Sequence, residues 1–85
     1  MSKKEKLLNR FLTLPKDFTY DELGVLFGYF EYYEWVKGKT SGSRRAFVND
    51  ETKHIIRLHK PHPKNILKRY QLKDIIDELN KAGLL

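Results

Sequence analysis

The run Arg44-Arg45-Ala46-Phe47-Val48-Asn49-Asp50-Glu51-Thr52-Lys53-His54-Ile55-Ile56-Arg57-Leu58-His59 decides the fold. Arg44 to Val48 and Lys53 to Leu58 are rich in aromatic and β-branched residues, which fit a pleated surface. Asn49-Asp50-Glu51-Thr52 between them reads as a tight polar turn, so the two segments form a hairpin. Upstream, Tyr32, Tyr33, Trp35 and Val36 supply a further strand, set off by the polar turn Gly38-Lys39-Thr40-Ser41-Gly42-Ser43. The three make an antiparallel meander. Pro61 and Pro63 end it, because each removes a backbone donor and pushes the preceding residue toward an extended form.

Helical spacing flanks this meander on both sides. Leu7, Leu8, Phe11 and Leu12 predict an amphipathic helix over 3–13 that Pro15 stops. Thr19 followed by Glu22 is a capping-box pair, with Phe18 placed to staple onto Leu23. Leu23, Leu26, Phe27 and Phe30 then share one face of a second helix over 20–29. Gly24 and Gly28 weaken that helix and are read as letting the sheet approach closely. Leu72, Ile75, Ile76 and Leu79 give the cleanest stripe, and Gly83 is its stop. The expected architecture is α+β in the order α-α-β-β-β-α, a three-stranded antiparallel sheet with one face packed against helices.

With 85 residues there is room for one modest core. A chain 40% hydrophobic and 33% charged is globular, not disordered. No apolar run approaches the ~18 residues of a membrane span. The basic start Met1-Ser2-Lys3-Lys4-Glu5-Lys6 is not followed by an apolar segment or cleavage site, so no signal peptide is expected. The absence of cysteine fits a reducing compartment, and cytoplasm is the expected location.

The net charge of +6 is concentrated. From Trp35 to Lys73 there are eleven Lys/Arg against two acids, Asp50 and Glu51. Such a stretch neutralises phosphate, and the histidines inside it can move protons near neutral pH. Along the last strand, Arg57 and His59 share the parity opposite to Ile56 and Leu58, which puts them on one surface beside Lys60 and His62. Cleavage of RNA by its own 2′-hydroxyl needs a base, an acid and cationic stabilisation, all available from a His–Arg–Lys surface without a metal. His59 and His62 are therefore the candidate catalytic pair. A zinc site built on them would lack further ligands, with no cysteine to help, and no metal or cofactor is expected.

Candidate RNA-binding residues are Lys39, Ser43, Arg44 and Arg45 of the hairpin, Arg57 and Lys60, and Lys64, Lys68 and Arg69 ahead of the last helix. Adjacent strand residues point oppositely, so only one of Arg44 and Arg45 shares a face with Phe47. The hairpin cations equally suit a charged edge that resists aggregation. Lys64, Lys68, Arg69 and Lys73 oppose the positive end of a helix dipole, an arrangement relieved by an anion. Tyr32, Tyr33 and Trp35 could stack on bases, but strand aromatics more often fill a core.

Gly42-Ser43 leading into Arg44-Arg45-Ala46-Phe47, and Leu58-His59 ahead of a Leu/Ile-rich helix ending Ala82-Gly83-Leu84, together resemble the HicA toxins of bacterial toxin–antitoxin pairs. The likeness is greatest to a branch with a Lys-Thr-Ser-Gly-Ser-Arg hairpin and a His-Lys-Pro-His-Pro loop. It spans residues 18–85 as the RNA-binding and ribonuclease domain, leaving 1–17 as an N-terminal helical extension. The resemblance implies a fold like double-stranded RNA-binding domains, mRNA cleavage that arrests translation, and a HicB-type antitoxin as partner. The family's usual motif is Gly-Ser-His, with that histidine catalytic, whereas Arg44 stands at the matching position here. Either His59 or His62 takes over proton transfer, or the protein binds RNA without cutting it. A winged helix-turn-helix reading fails on charge: residues 20–30 hold Asp21 and Glu22 but no Lys or Arg to meet DNA phosphates.

Overall fold

The computed structural model describes residues 2–35, 44–61 and 64–85. Lys39, Ser43 and His62 lie outside the described residues, as do Val36, the Gly38–Ser43 turn and Pro63. Among the described residues, three helices and three strands follow in the expected order: α1 Lys3–Leu12, α2 Tyr20–Tyr29, β1 Tyr32–Trp35, β2 Arg44–Asn49, β3 Ile55–His59 and α3 Arg69–Lys81. The sheet is antiparallel with β2 in the middle. This is an α+β fold, consistent with the arrangement of double-stranded RNA-binding domains.

Helix boundaries follow local chemistry. Ser2 caps α1 by accepting from the Glu5 N–H, 3.1 Å away. Thr19 and Glu22 form a complete capping box at α2: the Glu22 N–H donates to the Thr19 hydroxyl and the Thr19 N–H to the Glu22 carboxylate, each 3.1 Å. Gly83, at φ 76°, ends α3 by sending its N–H to the Asn80 carbonyl, while the Leu84 N–H reaches back to Leu79. The β2–β3 turn is organised by buried Asn49. Its side-chain oxygen accepts from the Glu51 and Thr52 N–H groups, and its amide donates 3.2 Å to the Phe30 carbonyl, tying the turn to the end of α2.

One core joins all of these elements. Phe27 lies at its centre, with ring centroids 4.5 Å from Phe47 and 5.5 Å from Tyr32. Ile56, Leu72, Ile75 and Leu79 close it from the β3 and α3 sides. Phe11 of α1 is fully buried in the same cluster, 5.3 Å from Phe18. Arg10 fastens α1 further, its guanidinium bonding Asp17 at 2.7 Å and Glu22 at 2.8 Å. The segment ahead of α3 is stitched to the entry of α2, with the Leu67 N–H donating to Phe18 and the Tyr20 N–H to Asn65.

Two expectations are corrected. Gly24 and Gly28 do not admit the sheet: a Cβ placed on either meets nothing within 4 Å, so both face away from the packing. Of the β1 aromatics only Tyr32 enters the core, whereas Tyr33 and Trp35 remain 46% and 42% exposed. Strand alternation separates Tyr33 and Trp35 from Tyr32 and puts them on the side that no helix covers among the described residues.

Candidate nucleic-acid interface

Register determines which side chains meet on the open side of the sheet. Tyr33 pairs with Val48, which pairs with Ile55. Trp35 pairs with Ala46, which pairs with Arg57. Arg44 pairs directly with His59. These rows lie about 7 Å apart along the strands and progress from aromatic and aliphatic to cationic. Directly opposed residues hold their Cβ atoms about 5 Å apart, so Arg44 and His59 are immediate neighbours. A concavity of about 480 Å³ opens here, lined by Trp35, Arg44, Ala46, Arg57 and His59 with parts of Arg45 and Leu58. Arg44, Arg57 and His59 are all exposed.

The remaining candidates are distributed around this surface. Arg45 has the parity of Phe47 and lies on the helix side of the sheet, half-buried, 3.9 Å from the Glu34 carboxylate. One of its guanidinium N–H groups also donates to the Arg44 carbonyl at 2.9 Å. Lys60 places its ammonium 5.3 Å from the Tyr20 ring centroid, a cation–π contact at the end of β3. Lys64, Lys68 and Arg69 are exposed between β3 and the first turn of α3, which contains no acid. Structure therefore gathers Arg44, Arg57 and His59 on one face and leaves the others along its border or behind it.

Gln71 was not among the residues singled out from the sequence. It is buried, and its carboxamide bridges two backbones: the oxygen accepts from the Lys68 N–H at 3.0 Å and the nitrogen donates to the His59 carbonyl at 2.9 Å. The first turn of α3 thus holds the peptide of His59 in place. The partner is twelve residues away in sequence, so no local pattern could reveal it.

The third histidine has a structural setting. His54 Nδ1 lies 2.5 Å from the Tyr32 hydroxyl, and its Nε2 is 3.4 Å from Glu78 on α3. Both contacts are satisfied when Nε2 carries the hydrogen and Nδ1 accepts from the phenol. Burial, with the Glu78 charge second, raises the Tyr32 pKa above its ordinary value. On the open face, the Tyr33 hydroxyl donates 3.0 Å to Asp50, which raises its pKa as well. Tyr20 is raised most, by burial and by its hydrogen bond to Glu34.

Comparison with known families places the chain. The family model for the HicA toxin of bacterial toxin–antitoxin pairs matches residues 29–84, which includes every strand and α3. The chain belongs to the HicA toxin family. As a HicA protein it is the toxin of a toxin–antitoxin pair, and its counterpart is an antitoxin. Searches of curated proteins and of solved structures returned no match. Among the described residues of this HicA chain, no helix is long and apolar enough to cross a membrane.

Proposed function

We propose that this HicA protein binds mRNA in the cytoplasm on the open face of its sheet and cleaves it without a metal, arresting translation. His59 removes the proton from a ribose 2′-hydroxyl, whose oxygen attacks the adjacent phosphorus. A P–O2′ bond forms and the P–O5′ bond breaks, leaving a 2′,3′-cyclic phosphate and a 5′-hydroxyl. His62 is the candidate acid that protonates the departing O5′. Arg44 and Arg57 offset the charge that accumulates on the phosphorane-like transition state.

The observation that carries this reading is the direct pairing of Arg44 with His59. Arg44 stands where the family's motif has histidine, and the imidazole of this chain sits on the facing strand, about 5 Å across the ladder. A base and a cation thus face each other across the ladder. Lys60, Lys64, Lys68 and Arg69 extend the cationic border for flanking phosphates, and Lys39, Ser43 and Arg45 are the hairpin's candidates for the same task. The same concentration of charge supports capture by an acidic HicB-type antitoxin that covers the face. The presence of Arg44 at the motif position also supports a second reading, in which the protein binds RNA and leaves it intact.

Incubating purified protein with a panel of mRNAs in EDTA separates the two. Cleavage that yields cyclic phosphate ends and disappears on His59→Ala is expected. Intact RNA with a properly folded wild-type protein across the panel would favour binding alone, and normal cleavage by both His59→Ala and His62→Ala would remove the mechanism.

A further inference from the structure

The concavity on the open face has a floor and two walls of different chemistry. Ala46, at the centre of β2, is the floor. Trp35 on β1 and Arg57 on β3 are its direct cross-strand neighbours and line the same space. Strands lie about 4.8 Å apart, so the backbones carrying the two walls are separated by roughly 9.6 Å. A flat base between an indole and a guanidinium needs two stacking distances of about 3.4 Å each, or roughly 7 Å. A side chain larger than alanine at the centre would fill that opening. Both wall types are ones that bind an unpaired base by its face.

Tyr33 adds a second platform on the same side, about 7 Å further along β1. Its ring is anchored, because the hydroxyl donates to Asp50. Stacked bases in a duplex rise about 3.4 Å per step, half the distance between Tyr33 and Trp35. Neighbouring bases can occupy both rings only when they are unstacked from one another. The Asp50 carboxylate at the Tyr33 end repels phosphate, whereas Arg44 and His59 at the far end attract it.

We infer that the open face is a reader of unpaired nucleobases: one base is clamped over Ala46 between Trp35 and Arg57, a neighbour lies on Tyr33, and the sugar–phosphate chain runs toward Arg44 and His59. The ligand is single-stranded RNA, not a duplex. This rests on the reading that RNA binds the open face, and it adds that base stacking, besides charge, holds the RNA there. Stacking is tolerant of base identity, so the clamp selects for the unpaired state more than for sequence.

Trp35 is the only tryptophan in the chain, so its fluorescence reports on this position alone. The probe is a short uridine oligoribonucleotide carrying 2′-O-methyl groups, which cannot supply the attacking hydroxyl and stays intact. It should quench Trp35, and Trp35→Ala should weaken binding, measured by anisotropy of a dye on the oligonucleotide, by at least about fivefold. Tyr33→Ala should weaken it less, and Trp35→Phe should retain most of it. Ala46→Leu should match the loss of Trp35→Ala while keeping every ring and charge, with thermal melts verifying that each variant folds. A base-paired duplex of the same length and an abasic ribose–phosphate strand should both bind more weakly than the uridine strand, and neither should quench. If Arg44→Ala weakens binding while Trp35→Ala and Ala46→Leu do not, RNA still binds this face but the clamp is overturned. Equal affinity for the duplex and the single strand overturns the clamp in the same way. If the wild type binds no RNA, both readings fall, and rings that alter only the capture of a protein partner would assign the face to that partner.

Discussion

The two sides of one three-stranded sheet have opposite chemistry in this molecule. On the covered side Tyr32, Phe47 and Ile56 are at most 3% exposed and pack against α2 and α3. On the other side, displaced by one residue along each strand, stand Tyr33, Trp35, Arg44, Ala46, Arg57 and His59, none of them fully buried. Alternation with period two makes this separation possible, since neighbours on a strand answer to different environments. The covered side supplies the apolar burial that stabilises a small domain. The open side can hold like charges close together because that burial is already complete without it. Charge and fold are thus decoupled at the spacing of a single residue.

The largest effect that tests this decoupling is on catalysis. His59→Ala should lower the rate of RNA cleavage by about 10²- to 10⁴-fold, the usual worth of a positioned proton carrier. Its unfolding free energy should change by no more than a surface substitution does, about 0.5 kcal/mol. Parallel loss of stability and cleavage would show that the faces are not separable.

Phe47→Ala is the reciprocal experiment. It removes a ring in contact with Phe27 and Tyr20 and should cost about 3–5 kcal/mol by urea denaturation. Against a total of roughly 5–15 kcal/mol for a domain, that is a large share. A cost no greater than that of a surface change would mean that the core is not centred on this strand.

Arg44 and Arg45 refine the comparison within one dipeptide. Arg44→Ala should weaken RNA binding about tenfold, as loss of a charge-assisted contact does, and its residual affinity should be less sensitive to salt. Arg45→Ala, whose side chain lies beside Glu34 on the covered side, should weaken it much less. Equal losses, read by filter binding at two salt concentrations, would contradict the strand register.

The smallest effect appears in alkali. Tyr20 and Tyr32, both held on the covered side, have pKa values raised above the ordinary 10 by burial. A group whose folded pKa exceeds its unfolded value stabilises below the unfolded pKa and loses that contribution as pH rises toward the folded one. Stability should therefore begin to fall above about pH 10, and Tyr20→Phe should make the fall shallower. Denaturation midpoints measured across that range will check the sign.

Much of this arrangement was legible in the sequence, where the signals were local. The Thr19–Glu22 capping box, the Leu72–Leu79 stripe and the Asn49 turn each depend on residues a few positions apart, and each was found at its expected place. The opposed parities of Arg57 and Leu58 likewise put His59 on the open face before any contact was known. Legibility failed where contrast or proximity was missing. Tyr32, Tyr33 and Trp35 are all aromatic, and the one charged residue of β1, Glu34, shares the parity of buried Tyr32, so polarity along the strand points to the wrong face. Glycine in α2 suggested close packing, but open space leaves the same mark as crowding. Gln71 depends on a carbonyl twelve residues away, a relation that only the folded chain creates.

The Gln71 bridge also has a consequence for the timing of biosynthesis. A nascent chain that has emerged as far as Lys60 already contains Trp35, Arg44, Arg57 and His59, yet lacks the amide that fixes the His59 peptide and the α3 residues that seal the sheet from behind. Translation proceeds from N- to C-terminus, so the end of β3 acquires its final geometry only after the last helix is made and docks. If the open face acts on messages as proposed, a chain in which α3 has not yet docked does not hold His59 in its final place.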